Sequence, residues 1–400
     1  MKYFIIKENI SLGGKMKKLL LVGALLGASA LSFADAKSDY QNAENLAKGN
    51  KVEQAVKVLE KVLEGVAKSS DKNYAVKANF QLGAYYLGKN NIPTAKKYLL
   101  SAWNDGKTVT EDTVEAARLL YLISLQEKNI KGAENYISWA DEKTQGADGD
   151  LASSLIIFYF ENGMQSKGQA RYNKAMSSSN VDYKAYINYN VGQYYLGKNN
   201  LPNAKKYLKD SYSSASKEAK LPAGYLLAQI ALAEKNNADA EKYLTEMNTI
   251  TSGKNAQILG MLGSHYLQTN NLTKAEDYLK KAAAADPKSN DANILLLAIY
   301  ESKNDTANAT SIYNKLKAKA PTTVNKELGI FYAGLGSPQL AEKYLQKAIT
   351  ENKDNQAKAM LGQLYAQMGK KAEAVKLLKE AVAAKVQGAD QILKQVEAMK

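Results

Sequence analysis

Residues 85–99 read YYLGKNNIPTAKKYL, and residues 194–208 read YYLGKNNLPNAKKYL. A third stretch, HYLQTNNLTKAEDYL, occupies 265–279. Fifteen residues do not recur with so few changes by accident, so the chain is internally repetitive before it is anything else. Around each stretch lies a wider frame: Leu-Gly-x-x-Tyr, eight further residues, then Ala-x-x-x-Leu-x-x-small. The first copy is Leu82, Gly83, Tyr86, Ala95, Leu99 and Ala102.

The frame returns as Leu262, Gly263, Tyr266, Ala275, Leu279, Ala282; as Leu328, Gly329, Tyr332, Ala341, Leu345, Ala348; and as Leu361, Gly362, Tyr365, Ala374, Leu378, Ala381. The copy at Gly192 carries Val191 and Ser211 at its two ends. Weaker copies centre on Ala43, Tyr121, Ile156, Ala228 and Leu297, giving ten at intervals of 32 to 40 residues. Leu82, Gly83 and Tyr86 share one helical face, as do Ala95, Leu99 and Ala102, so each copy predicts two amphipathic helices. Gly83 and Ala95 let those helices approach closely. Between them, Asn90-Asn91, Asn199-Asn200 and Asn270-Asn271 suit the left-handed residue that ends a helix, and Gly336 and Gly369 do the same in the last two copies. Pro93, Pro202 and Pro338 fit the first turn of the second helix, where a missing amide hydrogen costs little.

This frame resembles the tetratricopeptide repeat (TPR), whose closing proline is matched by Pro287 and Pro321. The resemblance implies an all-α, right-handed superhelical α-solenoid of about ten helix-turn-helix repeats over residues 35–386. The segment GADQILKQVEAMK then reads as a C-terminal capping helix within residues 387–400. One helix pair cannot bury its apolar face alone, so stacked neighbours complete the core.

Composition narrows the function. There are no cysteines, which excludes disulfides, thiolate metal sites and cysteine nucleophiles. The formal net charge is +14, of which residues 1–34, with five lysines and one glutamate, carry four. Only Arg118 and Arg171 are arginines. Lysine pairs Lys96-Lys97, Lys205-Lys206 and Lys280-Lys281 fall in or after second helices and predict a solvated face, with an anionic envelope polymer or lipid surface as the alternative partner. Aromatic-interleaved basic grooves for nucleic acid are absent.

From Met16 the chain has a charged start at Lys17 and Lys18, an apolar run too short to span a bilayer, and small residues at Ser32 and Ala34. Residues 16–34 therefore read as a signal peptide, and the mature protein as exported, periplasmic or secreted, with no transmembrane span. Residues 1–15 read as leader translated in error. Leu12-Gly13-Gly14-Lys15-Met16 back-translates in AT-rich codons to a ribosome-binding sequence just ahead of an ATG, so Met16 is the expected start.

No catalytic constellation emerges. His265, the single histidine, is expected to be packed or on the surface rather than a ligand or base, and no metal or cofactor site is expected. The pairs Glu111-Asp112 and Asp141-Glu142 are expected to be solvated or helix-capping rather than acid/base partners. What remains is recognition. The TPR resemblance places a peptide or protein segment in the groove formed by the first helices, at positions three before and one after the glycine. Its candidate contacts here are Phe80, Arg118, Tyr189, Gln193, Tyr225 and Gln229, an aromatic and amide strip with one distinctive charge. The expected protein is a non-enzymatic envelope scaffold.

Overall fold

The computed structural model describes residues 36–66, 73–105 and 110–399. The leader and signal readings of residues 1–34 lie outside the described residues. Among those described there are 21 α-helices and no strand, and the chain divides into two compact units.

The first unit, Met1–Leu227, holds α1 (Ala36–Lys48), α2 (Val52–Val66), α3 (Asn73–Gly88), α4 (Ile92–Asp105), α5 (Glu111–Gln126), α6 (Ile130–Lys143), α7 (Gly149–Glu161), α8 (Gln165–Met176), α9 (Val181–Gly197), α10 (Leu201–Ser214) and the start of α11 (Lys220–Ala233). The second, Ala228–Lys400, holds the rest of α11 and then α12 (Asn237–Ile250), α13 (Ala256–Gln268), α14 (Leu272–Ala285), α15 (Asp291–Ser302), α16 (Thr306–Lys319), α17 (Val324–Gly334), α18 (Pro338–Asn352), α19 (Asn355–Gln367), α20 (Lys371–Ala383) and α21 (Ala389–Ala398). Ten helix pairs are followed by one closing helix. In α21, Ala389 and Val396 are buried with Leu378 and Ala381 of the last pair, so the end of the core is covered.

Why the helices pair is visible at one contact. A β-carbon placed on Gly83 would lie 2.6 Å from Leu99 Cγ, and the same approach joins Gly192 to Leu208, Gly263 to Leu279, Gly329 to Leu345 and Gly362 to Leu378. The missing side chain on the first helix is the socket for leucine on the second. In the fourth repeat Ile156 fills the socket position, and the small residue moves across to the second helix. There Gly168 lies so close to Phe160 that a β-carbon would stand 2.5 Å from the ring. Close packing is kept by exchanging which helix is small.

The turn within each pair is more regular than its sequence. The residue seven after the glycine position has positive φ in all ten repeats, from 56° to 76°. Asparagine or glycine takes it in eight of them. Lys128 and Lys235 take it in the third and sixth, although lysine has a β-carbon that this conformation crowds. The next residue caps the second helix: the side chains of Asn91, Asn129, Asn200, Asn236, Asn271 and Asp305 each accept an amide hydrogen three residues on. The Asn-Asn pairs thus divide the work, the first ending one helix and the second starting the next.

Four repeats add a ring contact. Tyr86 stacks on Tyr98, Tyr195 on Tyr207, Tyr266 on Tyr278 and Tyr332 on Tyr344, with centroids 5.4 to 5.7 Å apart and planes within 12° of parallel. Successive repeats are then stapled by hydroxyls. Tyr266 donates to Glu241 at 2.6 Å, Tyr300 to Glu276 at 3.1 Å and Tyr365 to Glu342 at 2.7 Å, each glutamate lying on the preceding second helix.

Candidate functional site

Within the first unit, adjacent first helices touch directly at α1–α3, α3–α5 and α7–α9, while second helices lean on the first helix that follows them. The first helices of this unit therefore lie side by side in two runs, α1–α3–α5 and α7–α9, and the side turned away from their partners is the inner face on which the sequence places its candidate contacts.

The six candidates fare differently. Tyr189 and Gln193, one turn apart on α9, are brought together, with Gln193 Nε2 donating to the Tyr189 hydroxyl at 2.9 Å. Both are half-buried, and burial raises the Tyr189 pKa. Beside them Asn190 Nδ2 donates to Ser153 Oγ at 3.0 Å, tying α9 to α7. Phe80 is only 7% exposed and packs with Leu99, Ala102, Leu120 and Ile123, so it offers the groove a supporting wall. Tyr225 is half-buried in the first unit, and Gln229 is exposed in the second.

Arg118 is not a solitary charge. Its guanidinium lies 2.9 Å from Asp148, 3.2 Å from Glu115 and 3.9 Å from Asp150. Asp148 also caps α7 by accepting from the Leu151 amide. Asp150 in turn accepts from the Tyr186 hydroxyl. One cation thus holds three carboxylates along the inner face. Glu115 is reached within α5, three residues before Arg118, but the repeat frame could not reveal Asp148 and Asp150, because their distance from Arg118 depends on how the next repeat packs.

A second polar group crosses the first three repeats. Gln81 Nε2 donates to the Tyr40 hydroxyl at 2.6 Å, and the Lys77 ammonium sits over the rings of Tyr40 and Tyr74 at 5.6 and 5.8 Å. Burial, then the charges of Glu44 and Asp112, push the Tyr40 hydroxyl above the usual tyrosine range. Burial likewise raises the Asp112 carboxyl, opposed by Lys77 and reinforced by Glu111 and Glu44. Tyr40, Glu44, Lys77 and Asp112 therefore share one corner.

The expectation for Asp141 is overturned. Both its oxygens accept from Arg171, Nε and Nη2 each at 2.7 Å, and both side chains are only 7% exposed. Arg171 Nη2 also donates to the Gly146 carbonyl at 3.4 Å and the Tyr183 hydroxyl at 3.3 Å. Asp141 is a buried bidentate partner that staples α6 to α8, neither solvated nor capping. Its neighbour Glu142 remains exposed.

His265 is packed, 1% exposed, with its ring edge-on to Tyr266. Burial lowers its pKa. Among the described residues no group of three or more histidines, aspartates and glutamates is arranged to hold a metal ion. The lysine pairs are engaged rather than merely solvated. Lys96 binds Glu127 at 2.6 Å, Lys280 binds Glu276 at 2.8 Å and Lys281 binds Asp277 at 2.7 Å. Lys97 and Lys206 lie over Tyr98 and Tyr207.

Residues 25–147 match the family described as the SusR N-terminal TPR domain, and residues 259–322 and 327–389 match the tetratricopeptide repeat. The chain belongs to the tetratricopeptide-repeat family. Of solved structures, the APC/C hetero-tetramer Cut9-Hcn1 is similar at 17% identity, covering 90% of this chain and 76% of that one, with a TM-score of 0.37. PilW, a widely conserved type IV pilus biogenesis factor, is similar at 17% identity over 56% of this chain and 99% of its own, with a TM-score of 0.36. MamA is similar at 24% identity over 42% of this chain and 97% of its own, with a TM-score of 0.33. No curated protein matches. As a TPR protein the chain is of the kind that serves as a protein-interaction scaffold. No helix among the described residues is long and apolar enough to cross a membrane.

Proposed function

We propose that this TPR protein is an exported, non-enzymatic scaffold of the bacterial cell envelope that holds a peptide or protein segment along its inner face. The observation that carries the reading is the side-by-side packing of first helices in the first unit, α7 against α9, with the Tyr189–Gln193 pair on α9. Tyrosine and glutamine there contact backbone amides and apolar side chains without requiring one fixed charge. The envelope setting rests on the signal-like segment 16–34.

The test is a mild crosslinking capture from native envelope extract, comparing the natural protein with a Tyr189→Ala/Gln193→Ala variant. A protein crosslinked to the first helices of the natural chain and lost with the variant supports the reading. Recovery of no protein partner, or capture unchanged by the variant, counts against it. Capture of anionic polymer or lipid that disappears between low and physiological salt would instead favour the lysine-bearing surface.

A further inference from the structure

In the second unit, the end of α15 and the second helices α16 and α18 enclose a cavity of about 370 Å³. Glu301 and Asp305 line it from α15 and the turn that follows, Tyr313 from α16, and Lys343, Tyr344 and Lys347 from α18. Three lysines crowd its two tyrosine rings. Lys347 Nζ lies 4.2 Å from the Tyr313 centroid and 5.7 Å from that of Tyr344, while Lys317 shares the first ring at 5.9 Å and Lys343 the second at 5.0 Å.

Two of these lysines have a counter-ion and the third has none. Lys317 holds Glu351 at 2.8 Å, and Lys343 holds Glu301 at 2.7 Å. The same Glu301 oxygen accepts from the Tyr344 hydroxyl at 2.8 Å. Asp305, the other acid on the wall, accepts from the backbone and side-chain amides of Asn308. Lys347 is left half-buried on the cavity wall without a carboxylate in ion-pair contact among the described residues.

An ammonium there is poorly supported. Burial lowers the Lys347 pKa, with Lys343 and Lys317 reinforcing the shift as like charges and Glu351 and Glu301 opposing it. Lys317, on the same ring, moves the other way because of its bond to Glu351. The Tyr313 face favours the ammonium and works against burial, but it also fixes the nitrogen at the wall. A lysine desolvated beside other cations reaches its neutral form nearer neutral pH than a solvated one, and a neutral amine adds to carbonyl carbon.

We propose that Lys347 is a reactive amine that forms an imine with small aldehydes entering this cavity. The Nζ lone pair adds to the aldehyde carbon, a carbon–nitrogen bond forms, and the carbonyl oxygen leaves as water with the two protons of the neutral amine. No oxidant or reductant is consumed. The site lies on second helices and does not depend on the groove-binding reading above.

The experiment incubates the full chain with glyceraldehyde and sodium cyanoborohydride, which reduces the imine to a stable secondary amine, and follows each lysine over time by peptide mass spectrometry. Near neutral pH Lys347 should label at least about threefold faster than Lys317 and Lys343, and the advantage should narrow as pH rises toward the ordinary lysine range. Two variants separate charge from access. Glu351→Gln removes a charge that favours the ammonium and should quicken labelling of Lys347. Lys317→Gln/Lys343→Gln removes both like charges, frees Glu351 and Glu301 to face Lys347, and should slow it. Circular dichroism with thermal unfolding checks that both variants fold, and the ranking of lysines in the natural chain decides by itself if either does not. Lys347 labelling no faster than its two neighbours, or labelling equally in both folded variants, would overturn the proposal.

Discussion

Asp141 and Arg171 face each other through two parallel hydrogen bonds of 2.7 Å, sealed from solvent between the third and fourth repeats. The pair lies thirty residues apart in sequence and joins α6 to α8. A charge left alone in this place has no water to fall back on. Asp141→Ala should therefore cost about 3–5 kcal/mol in the first unit, because the guanidinium stays buried without its partner. Arg171→Lys should also destabilise, since a point charge cannot make both bonds. Urea unfolding checks both, and an effect under about 1 kcal/mol for Asp141→Ala would show that the site readily admits water.

Gly263→Ala reverses the usual sign of a glycine-to-alanine change in a helix. Alanine ordinarily stabilises a helix interior by roughly 0.5–1 kcal/mol. Here the added carbon would meet Leu279 Cγ at 2.5 Å and Cδ2 at 2.6 Å. The expected outcome is a net loss of about 1–3 kcal/mol from overpacking. Adding Leu279→Ala should recover part of that loss, read as a favourable coupling in a double-mutant cycle of thermal unfolding.

Glu276 is held well below the usual carboxylate range, at about 2, by hydrogen bonds from Lys280, then Lys303, and less from Tyr300, with burial opposing them. Lys280 Nζ lies 2.8 Å from one oxygen and Lys303 Nζ 2.7 Å from the other. A carboxyl whose folded pKa is depressed stabilises the fold above its ordinary pKa and loses that contribution as pH falls through the folded value. Glu276→Gln should cost about 1 kcal/mol near neutral pH, after allowance for solvent screening of its partly exposed lysines. The gap between the natural protein and the variant should be flat above pH about 5, shrink below the ordinary carboxylate pKa and close near pH 2. A gap independent of pH over that range would assign the stabilisation to packing.

Lys128 adopts φ of 56° where other repeats place asparagine or glycine. Its β-carbon is the source of the cost, so Lys128→Gly should stabilise the third repeat by about 0.5–1 kcal/mol once glycine's greater unfolded entropy is deducted. The reverse change, Gly336→Ala at φ of 67°, should destabilise by a similar amount. Thermal melts of the two variants should move in opposite directions.

The repeat, its two helices, the turn between them and the closing helix were all legible in the sequence, because each follows from spacing along one strand of chain. An α-helix is made of local bonds, and the frame from Leu82 to Ala102 states which residues face inward on both helices. The turn at Asn90-Asn91 states where one helix stops and the next begins. Even the weak copies obey, since the left-handed residue at Lys235 falls at the same place as Asn90.

Which side chains meet across repeats was decided only by the tertiary structure. Asp141 resembled an exposed helix-end acid until α8 brought Arg171 against it, and Arg118 resembled a free groove charge until α7 set Asp148 and Asp150 beside it. Phe80 likewise became part of the wall when α5 packed over it. These contacts depend on how neighbouring repeats pack, and the spacing within one repeat does not state that. Periodicity determines the faces of each helix; only packing determines which charged and aromatic groups on adjoining faces become partners.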